Sequence, residues 1–137
     1  LAVLLVVSCR PTKPEVRPDN DKLLKRRQAI IDFNSGIRML KGKKADYYNA
    51  VAAFEKALEN DPEFFEVHFN LGLLWARGND FERSEIAYKN ALKYKPGDRP
   101  TIFNLAQLYV KLEKYDPAIE FLHLAGGDDF HDVASDD

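Results

Sequence analysis

The chain has 137 residues, a length that suits one domain. Hydrophobic residues make up 45% and charged residues 31%, as in an ordinary globule, and the net charge of −2 argues against a dominant nucleic-acid footprint. One cysteine excludes a disulfide framework and a multi-cysteine zinc site, and no apolar run approaches the roughly 20 residues of a complete membrane-spanning helix.

The first segment reads Leu1-Ala2-Val3-Leu4-Leu5-Val6-Val7-Ser8-Cys9, without an initiator Met or a basic lead-in. It has the character of the tail of an apolar signal-peptide core. Val6-Val7-Ser8-Cys9 resembles a bacterial lipobox: an aliphatic residue, a branched or small one, a small one, then Cys. That resemblance implies cleavage before Cys9, lipid on its thiol, and residues 1–8 as a remnant. The plainer alternative is an incidental cysteine at the end of a buried strand or helix. Residues 9–20 follow with Pro11, Pro14 and Pro18 and no apolar periodicity. They are expected as an extended linker, about 3.1 Å per residue and roughly 30 Å in reach.

Charge is unevenly placed. Residues 10–44 hold eleven Lys/Arg against four Asp/Glu, and residues 45–137 hold nine against eighteen. Lys22, Lys25, Arg26 and Arg27 form the densest basic cluster. Such a cluster is either a solvated helix face or a surface for anionic lipid headgroups. Nucleic acid is not expected as a partner, because the aromatic residues recur at helix-packing spacings and not on a basic stacking platform.

From residue 21 onward the chain repeats itself. Asp32-Phe33-Asn34-Ser35-Gly36 lines up with His68-Phe69-Asn70-Leu71-Gly72 and with Ile102-Phe103-Asn104-Leu105-Ala106, at offsets of 36 and 34 residues. Ala50, Phe54, Ala57 and Pro62 match Ser84, Tyr88, Ala91 and Pro96, and Ala118, Leu122 and Ala125 continue the series. A period near 34 residues means an array of helix pairs. The pattern predicts helices at about 21–41, 46–60, 64–77, 81–94, 99–112 and 116–125. Small residues at Gly36, Gly72 and Ala106 are expected where the two helices of a pair approach closely. Leu71, Trp75, Phe81, Tyr88 and Leu92 are expected to fill the space between. Turns at Gly42, Gly78-Asn79 and Glu113-Lys114 separate the helices of each pair, and Asp80 and Asp116 suit N-cap positions.

These residues resemble the tetratricopeptide repeat: a large residue, Leu-Gly, an aromatic, then Ala, another aromatic and a later Pro. One unit supplies His68, Leu71-Gly72, Trp75, Ser84, Tyr88 and Pro96. The next supplies Ile102, Leu105-Ala106, Tyr109, Ala118 and Leu122. The first supplies Gly36, Met39, Ala50, Phe54 and Pro62, with two extra residues in its turn. The resemblance implies an all-α domain over residues 21–127, with units of about 29–64, 65–98 and 99–127. Its three hairpins would stack into a short right-handed superhelix. Residues 128–137 form an acidic tail. Ile119, Phe121, Leu122 and Leu124 are expected to leave apolar surface on the last helix.

The first helices of the three units place equivalent residues in rows. One row is Asn34, Asn70, Asn104, and Phe33, Phe69, Phe103 runs beside it. Farther along come Ile37, Leu73, Gln107 and then Lys41, Arg77, Lys111. An amide both donates and accepts, so a spaced row of asparagines suits the backbone of an extended peptide. The phenylalanines offer apolar contact, and the basic row favours an acidic ligand. The resemblance implies peptide binding on this concave face, although an average repeat carries similar residues at these places. Relatives that clamp a C-terminal carboxylate use Lys, Asn and Arg residues. Only Asn70 stands at a matching place, and Phe33, Ile37, Pro100 and Asn104 occupy the others. Chaperone-tail clamping is therefore not expected.

Little points to catalysis. His68 stands at a core position and is expected to be packed. His131 lies among Asp128, Asp129 and Asp132 without a recognised metal-ligand spacing. No phosphate loop or nucleophile–base pattern is visible, so neither cofactor nor metal is expected. The leading expectation is a non-catalytic adaptor in a bacterial cell envelope, anchored by lipid on Cys9. Arg10, not Asp, follows Cys9, which under the sorting rule of enteric lipoproteins implies an outer-membrane location facing the periplasm, and the repeat resemblance implies partner proteins or peptide segments as ligands. The alternatives are a self-association module stacking through its last helix, and a fragment of a longer scaffold or enzyme.

Overall fold

The computed structural model describes residues 18–41 and 44–126. Six helices lie within them: α1 (Pro18–Leu40), α2 (Tyr47–Asn60), α3 (Phe65–Arg77), α4 (Phe81–Tyr94), α5 (Arg99–Lys111) and α6 (Tyr115–Gly126). Cys9, the signal remnant, the linker up to residue 17 and the acidic tail lie outside the described residues. The helix limits agree with the sequence pattern to within a few residues. α1 starts at Pro18, inside the stretch expected as linker. Proline suits a first helical position, because its missing N–H would have no partner there in any case.

The helices pair as hairpins: α1 with α2, α3 with α4, α5 with α6. Successive hairpins meet through α2 with α3 and α4 with α5. A glycine lets the first two pairs close. A Cβ on Gly36 would stand 2.5 Å from the Phe54 ring, and one on Gly72 would stand 2.5 Å from the Tyr88 ring. Both rings are fully buried. The third unit carries Ala106 and Leu122 at these places, an added methyl with a smaller counterpart. In the second pair the Ser84 hydroxyl also donates to the Gly72 carbonyl at 2.8 Å. Burial pushes the Tyr88 hydroxyl up to about 12, so that ring stays neutral.

Two clusters form the core. One joins α1, α2 and α3 through Ala29, Phe54, Ala57, Phe64, Val67 and Leu71, and reaches α4 through Ala87. The other joins α4, α5 and α6 through Tyr88, Leu105, Leu108, Tyr109 and Ala118. His68 is packed as expected: its Nε2 lies 2.8 Å from the Pro62 carbonyl oxygen, and its ring stacks on Tyr94. Phe121, expected on the surface, is half-buried and stacks on Tyr109 at 5.7 Å. Ile119, Leu122 and Leu124 are exposed on α6, as the pattern predicted.

The ends of the helices differ in part from expectation. Asp80 caps α4 by accepting from the Arg83 N–H, and Asp46 and Asp98 cap α2 and α5 in the same way. Asp116 is not a cap; it lies within the first turn of α6. The place equivalent to Asp46 and Asp80 is Lys114, so the third unit lacks that carboxylate. The left-handed residue of the α3–α4 turn is Asn79 (φ 60°), whereas Gly78 stays at φ −79°. Glu113 takes the same conformation in the α5–α6 turn, at φ 58°. The α1–α2 connection, residues 41–46, is twice as long as the three-residue turns at 78–80 and 112–114.

Candidate functional site

The rows expected on the first-helix face do not survive equally. Phe33 is half-buried between Phe54 and Phe64, with ring centroids 5.6 and 5.2 Å away. Phe69 is half-buried against Phe65 and Tyr88. These two rings hold hairpins together and offer little surface to a ligand. Phe103 is 51% exposed. The place of Phe64 one repeat later is Asp98, so the aromatic packing that covers Phe33 has no counterpart for Phe69.

The amides keep more freedom. Asn34 is exposed, and Asn70 and Asn104 are half-buried. The Asn70 Nδ2 donates one N–H to the Glu66 carbonyl at 2.7 Å, which leaves its Oδ1 and its second N–H for a ligand. α3 and α5 touch directly, which places Asn70, Leu73, Asn104 and Gln107 on neighbouring helices. Leu73 and Gln107 are exposed. From α1, Arg26 lies 4.1 Å over the ring of Phe64, the N-cap of α3, and pairs with Asp61 at the end of α2.

The basic row turns elsewhere. The Arg77 guanidinium stands 5.1 Å over the Tyr47 ring of α2, and the Lys111 ammonium 5.9 Å from the Phe81 ring of α4. Each reaches the hairpin before its own, so neither simply extends the asparagine row. Lys41 is exposed just past the end of α1.

Arg77 instead borders a cleft of about 600 Å³ that the sequence pattern did not reveal. Tyr47, Tyr48, Val51, Ala52 and Glu55 of α2 form one side. Leu74, Trp75, Arg77 and Gly78 at the end of α3 form the other, with Arg83 of α4. The Arg83 guanidinium lies 4.1 Å over the Trp75 ring, and its Nε donates to Asp80 Oδ2 at 2.7 Å. The backbone N–H of Arg83 holds the Asp80 carboxyl below its usual range, ahead of its side-chain bond and charge, so the pair is ionised at neutral pH. Tyr48 is 84% exposed at the mouth. The period marked Trp75 as filler between helices, and it is only half-buried. The available signals were the Tyr47-Tyr48 pair and the longer connection before it. Neither says which way a ring faces.

A family model described as tetratricopeptide repeat matches residues 40–99, and a second with the same description matches residues 100–125. Together they span more than half of the chain. Protein O-mannosyl-transferase Tmtc3 of Drosophila melanogaster is 37% identical over 68 residues, which are 50% of this chain and 7% of that protein. The activity in that name stays with that protein. A crystal structure of MamA superposes with a TM-score of 0.66 at 18% identity, over 78% of this chain and 63% of that one. A MamA mutant superposes at 0.63 and 22% identity, over 79% and 82%. Likenesses at this identity carry the fold, an all-α repeat superhelix.

Proposed function

The chain belongs to the tetratricopeptide-repeat family, and on that premise we propose that it is a non-catalytic adaptor gripping an extended segment of a partner protein. The repeat array supports a protein–protein interaction scaffold. The observation that carries the reading is the pair of directly packed helices α3 and α5 with Asn70, Leu73, Asn104 and Gln107 at equivalent places. Amides spaced along such a face pair with backbone groups whatever the ligand's side chains, while Leu73 and Phe103 supply apolar contact. Asn34 extends the face at its α1 end.

The setting we propose is the bacterial envelope, with lipid on Cys9 and the residues before α1 acting as a tether. The lipobox resemblance supports it. Acyl chains contribute about 0.8 kcal/mol per buried methylene, so more than one chain anchors stably. Labelling with a clickable fatty acid in bacterial cells tests the anchor. Incorporation lost in Cys9→Ser supports it, and equal incorporation sinks it.

The test of the groove is crosslinked capture from envelope extract with the parent and an Asn34, Asn70, Asn104→Ala variant. A partner kept by the parent and lost by the folded variant is the expected result. Equal capture refutes the amide row as the working face. A second reading is favoured by the exposed Ile119, Leu122 and Leu124 on α6: a second copy stacks there. Sedimentation equilibrium decides it, since a mass independent of concentration removes that reading.

A further inference from the structure

The cleft beside Trp75 has a counterpart one repeat later, and the two are built differently. Shifting seven of the ten lining residues by 34 positions turns Tyr47, Val51, Ala52, Glu55, Trp75, Arg77 and Gly78 into Phe81, Glu85, Ile86, Lys89, Tyr109, Lys111 and Leu112. The cation over the ring is kept: Arg77 over Tyr47, Lys111 over Phe81. The rest is not. At the second junction the Tyr109 hydroxyl donates to Glu85 Oε1 at 2.9 Å, and the Lys89 ammonium donates to the same oxygen at 2.6 Å. That junction supplies its own carboxylate to its own ring. At the first junction Val51 replaces Glu85, Ala52 replaces Ile86 and Gly78 replaces Leu112, each smaller than its counterpart. Lys111, like Arg77, has no ion pair among the described residues, so the first junction differs in leaving open space beside its cation.

We propose that this cleft docks a short peptide segment of a partner protein, in which a bulky apolar side chain neighbours an Asp or Glu. The apolar group enters between Tyr47 and Trp75 over Val51 and Ala52, and the carboxylate pairs with Arg77. Charge decides the polarity. Arg83 is already answered by Asp80, whereas Arg77 has no carboxylate within ion-pair distance among the described residues. Glu55 lies two helical turns along α2 from Tyr47, about 12 Å away, and repels an acid at that end. Twelve ångströms spans three to four residues of extended peptide. A small metabolite fits less well, because a tight small-molecule site encloses most of its ligand. Here Tyr48 stands almost wholly in solvent, and Glu55 and Gly78 are exposed at the edges. An open aromatic cleft of this kind suits one anchoring side chain whose neighbours continue along the surface.

Trp75 is the only tryptophan in the sequence, so its emission reports on the cleft directly. The probes are acetylated, amidated hexapeptides with Leu, Met or Phe beside Asp at each position, and the same peptides with Asn or Lys in place of Asp. They are titrated into the full chain and three variants whose helicity is checked by circular dichroism. The expected result is a saturable change in emission with acidic members. It weakens roughly tenfold or more in the Asn peptides and in Arg77→Gln, the size expected for one charge-assisted bond. Ala52→Ile, which narrows the cleft, abolishes the response. The Asn34, Asn70, Asn104→Ala variant keeps it, which separates this site from the groove of the proposed adaptor face. No saturable response from any acidic peptide overturns the proposal. So does equal binding of Asp and Asn peptides, or an Arg77→Gln variant and an Ala52→Ile variant that both bind as the parent does.

Discussion

The two junctions between hairpins use one scaffold for different ends. Between α4 and α5, Tyr109 is 4% exposed and its hydroxyl is bonded to Glu85, which Lys89 also holds. Between α2 and α3, Trp75 occupies the equivalent place with no hydrogen bond across the junction among the described residues, and a cleft opens beside it. A repeat therefore sets where side chains meet; the residues at those meeting points decide whether the junction is closed or open. Closure needs a bonded polar bridge or enough volume. The first junction has neither, because Val51, Ala52 and Gly78 are small and Val51 puts no acceptor where Glu85 receives the Tyr109 hydroxyl, so the Trp75 N–H has nothing equivalent to bond.

The contrast is broken most directly by truncating the two rings. Tyr109→Ala should cost about 3–5 kcal/mol, as for a large buried aromatic that also leaves a partner unbonded. Trp75→Ala should cost about half of that or less, since the ring is only half-buried and borders the cleft. Urea denaturation of both variants measures it. Equal losses would mean that the first junction is as tightly built as the second.

A smaller effect sharpens the electrostatic side. The bond from Lys89, ahead of that from Tyr109, holds the Glu85 carboxyl below its usual range despite partial burial, and the Lys89 ammonium is raised in return. A carboxyl depressed in the fold contributes fully above its ordinary value, near 4.3, and loses the contribution as pH falls through its depressed value. Glu85→Gln keeps an acceptor for Tyr109 but removes the charge. The parent should therefore exceed it by about 1 kcal/mol at neutral pH, with the gap closing below about pH 4. A gap that stays constant down to that acidity would remove the ion pair from the account. Val51→Thr at the first junction should show no such pH dependence.

The smallest effect lies at the hairpin tips. Asn79 and Glu113 both have positive φ, but asparagine tolerates that region and glutamate does not. Glu113→Gly should raise stability by about 0.5–1 kcal/mol, while Asn79→Gly should change little. The shift in thermal midpoint distinguishes them. A loss in Glu113→Gly would show that its side chain contributes more than its backbone costs.

Much of this architecture was legible from residue spacing. Gly36 and Gly72, each placed before a ring one helix later, marked the close approaches, and both rings are where the period put them. The candidate site was less legible. Phe33 and Phe103 share a repeat position, yet one is clasped by Phe54 and Phe64 and the other is half in solvent. Periodicity treats the units as equal, while burial depends on the neighbour each unit meets. Arg77 shows the same limit. Its spacing set it in a row with Lys41 and Lys111, and its long side chain reached back to Tyr47.

By itself the sequence determined the helix pairs, their order and their close contacts. Those follow from local propensity, from a period near 34 residues and from the volumes of glycine and aromatic side chains, which act within one hairpin. Only the tertiary structure decided which faces stay open. The cleft lies between residues of α2, α3 and α4, and its shape depends on how two hairpins settle against each other. Packing of that kind turns on the volumes and bonds of several side chains at once.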